Sequence, residues 1–249
     1  MPPRFKALFW PGLSTLLAGA ILIGLGVWQL ERLHWKEGLI GEIEARSTIK
    51  PQPLPPIADW PALKPDDYDY RHVEAEGTFE NDKEALVFHG PGFSRKGIST
   101  PGYLVLTPLR LASGGIVIVN RGFVPENLKD KAARAAGEID GPVRVTGLMR
   151  PPEPRNLFTP PDEPAAGRYF TRDPAEIATH FGLADVAPFS IDADDLPVPG
   201  GWPMGGTTEI AIPNNHLSYA LTWFGLALGL FGVFAAFAWH KGNEIEKAG

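Results

Sequence analysis

Two uncharged stretches decide what this chain can be. One runs from Leu8 to Leu30, "LFWPGLSTLLAGAILIGLGVWQL"; the other runs from Leu217 to Trp239, "LSYALTWFGLALGLFGVFAAFAW". Neither holds an Asp, Glu, Lys, Arg or His. At about 1.5 Å of rise per residue, each would cross a hydrocarbon layer of roughly 30 Å as a helix. Both are long for buried helices of a soluble protein. The first also exceeds the apolar core of a secretory signal peptide, about 7–15 residues, and no A-x-A-like cleavage site ends it. It reads as an uncleaved anchor. Only "MPPRFKA" stands before it, too little for an amphipathic, Arg-rich transit peptide. The expected location is a bacterial inner membrane.

The expected layout is a first span at 8–30, a β-rich domain at 31–212, and a second span with its N-cap at 213–239. Arg4 and Lys6 precede the first span, and Lys241 and Lys247 follow the second. Positive residues favour the cytoplasmic side. Both termini are therefore expected in the cytoplasm and the central domain in the periplasm, although Arg32 and Lys36 lie just past the first span. The chain has no cysteine, which excludes disulfides, thiolate metal sites and a thiol nucleophile. Its formal charge of −6 and its lack of a basic stripe argue against nucleic acid as a partner. The lipid bilayer is the first expected partner.

Between the anchors the pattern changes from helical to strand-like. "GYLVLTPLRLASGGIVIVNRGFVP" reads as two strands joined at Ser113-Gly114-Gly115. "YRHVEAEGTF" at 70–79, "EALVFHG" at 84–90, "PVRVTGLMR" at 142–150 and "APFSIDA" at 187–193 read as further strands. "DPAEIATHFGL" at 173–183 reads as a short helix, with Asp173 as N-cap, Pro174 at the first position and Gly182 near the end. "PQPLPPIADWPALKP" at 51–65 holds six prolines and reads as an extended linker or lid. "PPEPRNLFTPPDEP" at 151–164 reads as a proline-rich loop. The expected fold class is a membrane α+β protein: two transmembrane helices flanking a mainly antiparallel β periplasmic domain with one or two short helices.

Catalytic motifs fail on inspection. "GFSRKG" at 92–97 places its second glycine one residue late for a nucleophile elbow around Ser94 and sits in a glycine-rich loop. "GLGVWQ" at 24–29 lacks the last glycine of a dinucleotide loop and lies inside a span. No nucleophile–base pair stands out, so the expectation is not an enzyme. The six histidines include no pair at i, i+3 or i+4, hence no local metal motif. His72 and His89 on strands, and His180 on the short helix, read as surface or satisfied core residues.

His216 differs by position. Pro213 blocks a helix upstream, and Asn214 or Asn215 can cap one beginning at His216. The positive end of the helix dipole favours a neutral imidazole there, the form that ligates metal. His216, Tyr219 and Trp223 follow at i, i+3 and i+7 along one face, against which a flat macrocycle can lie; an interfacial aromatic belt gives the same pattern. If the two spans pair antiparallel, Trp28, Gln29, Arg32, His34 and Trp35 stand at the level of His216. Arg32 can meet a propionate through charge-assisted hydrogen bonds or simply snorkel, and His34 is a reserve ligand. A Gly225/Gly229 step and an Ala20/Gly24 step are candidates for close helix pairing.

With these residues in view, the chain resembles the surfeit locus protein 1 family. The matching pieces are "GLGVWQLERLHWK" at 24–36, "EGTF" at 76–79, "GYLVLTPL" at 102–109, "VNRGFVP" at 119–125 and "PNNHLSYALTWFGLAL" at 213–228. The resemblance implies an assembly factor for haem–copper cytochrome c oxidase. It implies haem a as transient cargo, bound at the outer membrane interface and inserted into the catalytic subunit, with His216 as the axial iron ligand. The expected haem-binding set is His216, Tyr219, Trp223, Trp28, Arg32 and His34. The implied partners are the oxidase catalytic subunit and the haem a synthesis enzymes. The competing reading is a cofactor-free membrane scaffold that stabilises an oxidase assembly intermediate. Phe123 stands in "VNRGFVP" where the family suggests tryptophan, and an aromatic is kept. Arg121 beside it reads as a buried strand-end arginine bonded to backbone carbonyls.

Overall fold

The computed structural model describes residues 3–90, 100–195, 197–208 and 214–247, with side chains from Leu8 to Ile245. Ser94, Pro213 and the side chains of Arg4, Lys6 and Lys247 lie outside the described residues. The chain divides into two compact units. One holds the first 42 residues and those from Ala211 on, and the other spans Ile43–Ile210.

The first unit consists of two helices. Helix α1 spans Pro3–Thr48, its last turns belonging to the second unit, and α4 spans His216–Lys247. The expected span 8–30 lies within α1, which runs on to Thr48. Past Leu30 the sequence "ERLHWKEGLIGEIEARST" is rich in Glu, Lys, Arg and Leu, all good helix formers. The helix therefore outlasts the apolar run, because helix propensity continues where hydrophobicity stops. The residues turned inward on α1 are Gly12, Thr15, Gly19, Leu22, Gly26 and Gln29, alternating by three and four as in a heptad seam.

Glycine recurs on that seam every seven residues. A Cβ at Gly12 would meet Phe234 at 3.2 Å, one at Gly26 would meet Phe224 at 2.5 Å, and one at Gly19 would overlap the Phe231 ring. Each missing side chain thus seats a phenylalanine of the antiparallel partner, and small residues let the backbones approach. The expected steps are not the contact. Nothing lies within 4 Å of a Cβ placed at Gly24, Gly225 or Gly229, and Ala20 is exposed. A four-residue spacing is a local pattern; the seven-residue one matches the seam.

The second unit is a barrel-like sheet. Its strands are β1 (Gln52–Pro53), β2 (His72–Phe79), β3 (Ala85–His89), β4 (Gly102–Leu111), β5 (Ile116–Pro125), β6 (Pro142–Arg150), β7 (Arg168–Tyr169) and β8 (Val186–Ala193). They run in the order β1-β2-β6-β8-β5-β4-β3-β7, and β2 also pairs with β4. That extra pairing closes β2, β6, β8, β5 and β4 into a ring. The β1–β2, β3–β7 and β5–β8 pairs are parallel; the other named pairs are antiparallel. The ring can close at Gly77 because a Cβ there would overlap the Arg110 carbonyl. The β4–β5 hairpin turns at the expected site, where Gly114 and Gly115 take φ of 94° and 75°.

Strands β4 and β5 are buried along almost their whole length. Leu109, Val117, Val119, Phe189 and Ile191 form one core, joined by Trp60 and Tyr68. Leu106, Ile118 and Phe123 form another with Ile177 of helix α3 (Pro174–Phe181). Helix α3 follows the expected signals: the Asp173 carboxylate accepts from the Ala175 N–H at 2.9 Å, and Gly182 ends the helix at φ 61°.

The proline-rich stretch 51–65 is not a free linker. Within it β1 pairs with β2. A 3₁₀ turn at Ile57–Ala62 then buries Trp60, whose Nε1–H donates to the Pro55 carbonyl at 3.0 Å. Helix α2 (Pro65–Tyr68) follows and buries Tyr68. Proline fixes φ without preventing a neighbouring aromatic from packing, so prolines alone do not distinguish a linker from a wedge. Residues 151–164 carry no helix or strand until a short turn at Pro164.

Charged groups are also buried in this unit. Asp192 on β8 accepts from Arg172 Nη1 at 2.9 and 2.8 Å, from Asn120 Nδ2 at 2.9 Å and from the Thr208 hydroxyl at 2.7 Å. Burial pushes the Asp192 carboxyl up. The Arg172 guanidinium and the bonds from Thr208 and Asn120 outweigh it and hold the group below the usual carboxylate range. Arg121 is buried, donates to the Gly137 carbonyl and stacks over Phe79 at 4.8 Å. His72 is bonded on both nitrogens, to the Ile49 carbonyl at 2.8 Å and to Asp194 Oδ2 at 2.9 Å. His180 packs edge-on against Phe181 and Tyr169.

Candidate functional site

The site is built where α4 begins. The Asn215 carbonyl accepts the Tyr219 N–H at 3.2 Å, which makes Asn215 the cap residue and His216 the first residue of the helix. Among the described residues neither Asn214 nor Asn215 makes a side-chain cap bond; the cap works through backbone alone. His216 turns to α1, and its Nδ1 lies 2.6 Å from Gln29 Oε1.

An amide oxygen only accepts, so this contact fits a ring nitrogen Nδ1 that carries a hydrogen. In a neutral ring that arrangement places the lone pair on Nε2. Gln29 is a buried amide in an otherwise apolar run. Leaving its oxygen unpaired in hydrocarbon would cost on the order of 1–3 kcal/mol. A histidine whose second ring nitrogen is held by a carbonyl is also the usual arrangement of an oriented metal ligand, because the bond fixes tautomer and ring plane.

The other expected residues distribute around this bond. At about 100° per residue, Trp28, Arg32 and Trp35 of α1 and Tyr219 of α4 lie on one flank of the antiparallel pair. Trp28 is 50% exposed, Tyr219 56% and Trp35 56%. The Arg32 guanidinium lies over the Trp35 ring at 4.4 Å. Trp223 is partly buried at the margin of the seam. His34 falls on the opposite flank, and its Nδ1 bonds to the Leu30 carbonyl of its own helix at 2.8 Å. By helix phase Tyr219, Trp28 and Arg32 thus fall on one flank beside the His216–Gln29 contact, Trp223 falls at the margin of the seam, and His34 falls on the other flank.

Gln29 is the member that sequence reasoning placed at the right level but gave no role. Its signal was available: the one amide in the uncharged run from Leu8 to Leu30 needs a partner. Among the described residues no group of three or more His, Cys, Asp or Glu side chains could hold a bare metal ion. A single imidazole cannot cage an ion. It can complete the coordination of an iron that already has four macrocycle nitrogens.

Fold and site together define a class: a protein with two candidate membrane-spanning helices, a small barrel-like β domain, and an imidazole bonded to an amide where the helices meet. The SURF1 family model matches residues 16–228. The chain is 36% identical over 234 residues to a SURF1-like protein of Monosiga brevicollis, covering 90% of this chain and 85% of that protein. It is 36% identical over 221 residues to surfeit locus protein 1 of Mus musculus, covering 85% and 70%. To that of Homo sapiens it is 35% identical over 238 residues, covering 91% and 75%. The chain belongs to the SURF1 family.

Proposed function

We propose that this protein is an assembly factor for haem–copper cytochrome c oxidase that carries haem a as transient cargo. It sits in the bacterial inner membrane with both termini cytoplasmic and its β domain periplasmic. It passes the haem to the oxidase catalytic subunit after collecting it from the haem a synthesis enzymes. Family membership supports the assembly role. The contact between His216 Nδ1 and Gln29 Oε1 at 2.6 Å supports the cargo reading, because a neutral ring held through Nδ1–H would present Nε2 to iron.

The chemistry is binding and release. One protein ligand suits a donor, since a cargo held by a single imidazole can leave by exchanging one bond. Trp28, Tyr219 and Trp223 offer aromatic surface beside the imidazole, and Arg32 offers a guanidinium to a propionate. Charges flanking the spans support the orientation: Arg4 and Lys6 before the first, Lys241 after the second.

The test is to co-express the chain with haem a synthesis enzymes, purify it, and record absorption spectra beside His216→Ala. Wild type should retain haem a and the variant should lose most of it. Equal haem in both removes His216 as ligand. A wild type that never binds haem yet still supports oxidase assembly transfers the function to the cofactor-free scaffold.

A further inference from the structure

The β domain contains a second site, independent of the helices. A cavity of about 290 Å³ lies among β3, β4, β5, β6 and β8, with Tyr70, Phe88 and Phe170 as aromatic walls and Arg150, Arg172 and Asp192 as charged ones. That volume is near the lower end of small-molecule sites.

The decisive residue is Arg150. Its side chain is only 15% exposed. Its Nε lies 3.1 Å from Asp69 Oδ1, yet neither atom makes a hydrogen bond. Its guanidinium lies over the Tyr70 ring at 3.9 Å. Among the described residues its two terminal amino groups have no hydrogen-bond partner. Two other buried arginines of this unit are more fully bonded. Arg172 places Nη1 on both oxygens of Asp192. Arg134 uses Nε, Nη1 and Nη2 on Leu128, Glu84, Glu138 and Lys129.

Two further observations support an occupant. Tyr70 is a non-glycine residue at φ 60°, a conformation costing on the order of 1 kcal/mol or more that concentrates at functional sites. It sets the ring beneath Arg150. The negative charge in the cavity is also largely claimed. Asp192 is neutralised by Arg172, and Glu153 lies 3.5 Å from Arg172. Asp69 lies against Arg150 Nε, which leaves the terminal amino groups of that guanidinium turned elsewhere.

We propose that this cavity binds a carboxylate borne on an apolar or aromatic body, with the Arg150 fork on the carboxylate and Tyr70, Phe88 and Phe170 around the body. Planar, paired donors match a carboxylate better than a point charge does. The carboxylate can come from a free organic acid or from the C-terminus of a polypeptide.

The test uses the full-length protein in detergent. Titration calorimetry compares 3-phenylpropanoate with 3-phenylpropanamide. A second arm compares a short peptide ending in phenylalanine with a free and with an amidated terminus. The acid, the free-terminus peptide or both should bind at least about tenfold tighter than the matching amide, the scale of a charge-assisted pair. Arg150→Gln should abolish the preference, and Arg150→Lys should keep part of it. The two arms identify the source of the carboxylate. Equal binding of acid and amide in both arms overturns the proposal. So does the absence of binding in both, or an unchanged preference in a folded Arg150→Gln variant. The acid–amide comparison in wild type decides the matter even if Arg150 variants do not fold.

Discussion

The two units turn their apolar side chains in opposite directions. In the helix pair Leu16, Leu228 and Val233 are 64%, 76% and 71% exposed, while the seam holds glycines, a threonine and a Gln–His hydrogen bond. In the β unit the valines at 73, 105 and 117 are fully buried, and the seam of helical polar groups is replaced by a charged network around Asp192. The difference is the one expected of a pair of candidate membrane spans beside a water-exposed domain. Where the outside is hydrocarbon, packing is driven by close backbone approach and by polar groups that cannot be left alone. Where the outside is water, apolar area itself drives burial, and an internal charge must be matched by a partner.

The largest expected effect lies in the β unit. Asp192→Ala leaves Arg172 buried without its partner and should cost about 3–5 kcal/mol in denaturant unfolding. The same network predicts an acid limb. The folded pKa of Asp192 is lowered relative to the unfolded chain, so its stabilising contribution is present above the ordinary aspartate value of about 3.9. It is lost as pH falls through the lower folded value. Asp192→Asn should flatten that limb in a pH series of melting curves, and an unchanged limb would assign it to other carboxylates.

Next in size is the glycine seam. Gly19→Val drives a side chain into the Phe231 ring and should weaken helix pairing by about 1–3 kcal/mol. Gly225→Val, facing nothing within 4 Å, should be silent. Because the chain has no cysteine, engineered cysteine pairs across α1 and α4 report this by crosslinking in nanodiscs. Equal crosslinking in both variants would break the assignment.

Smaller still is the Gln29 bond, worth about 0.6–1.7 kcal/mol on the scale of interhelical hydrogen bonds in membranes. Gln29→Leu should shift the ¹⁵N resonances of the His216 ring away from the Nδ1–H tautomer and weaken haem a binding several-fold. Gln29→Glu, which keeps an acceptor, should restore both. The smallest effect is on the lipid-facing surface, where Leu228→Ala should change unfolding by less than about 0.5 kcal/mol. A larger loss there would mean that this surface packs on something other than lipid.

What could be read in the sequence was local. The Ser113-Gly114-Gly115 turn, the strands around it and the capped helix from Pro174 follow from signals within a few residues. The wedge at Trp60 was missed because proline content describes backbone stiffness and not what a tryptophan covers. Closure of the ring through Gly77 and Arg110 joins strands that are separated in sequence, and no periodicity reports it. The start of α4 at His216 was legible because the signals that begin a helix are local. The histidine's partner Gln29 lies 187 residues away, and only the seven-residue glycine spacing hinted at which face of α1 would turn toward it.

Strand β8 lies between β6 and β5 and is the last strand in the chain. Until the ribosome has delivered residues 186–193, β5 and β6 each present an unpaired edge. The growing polypeptide therefore passes, between completion of β6 and of β8, through a stage in which the sheet is open. Any factor that guards nascent chains has its clearest target in that interval.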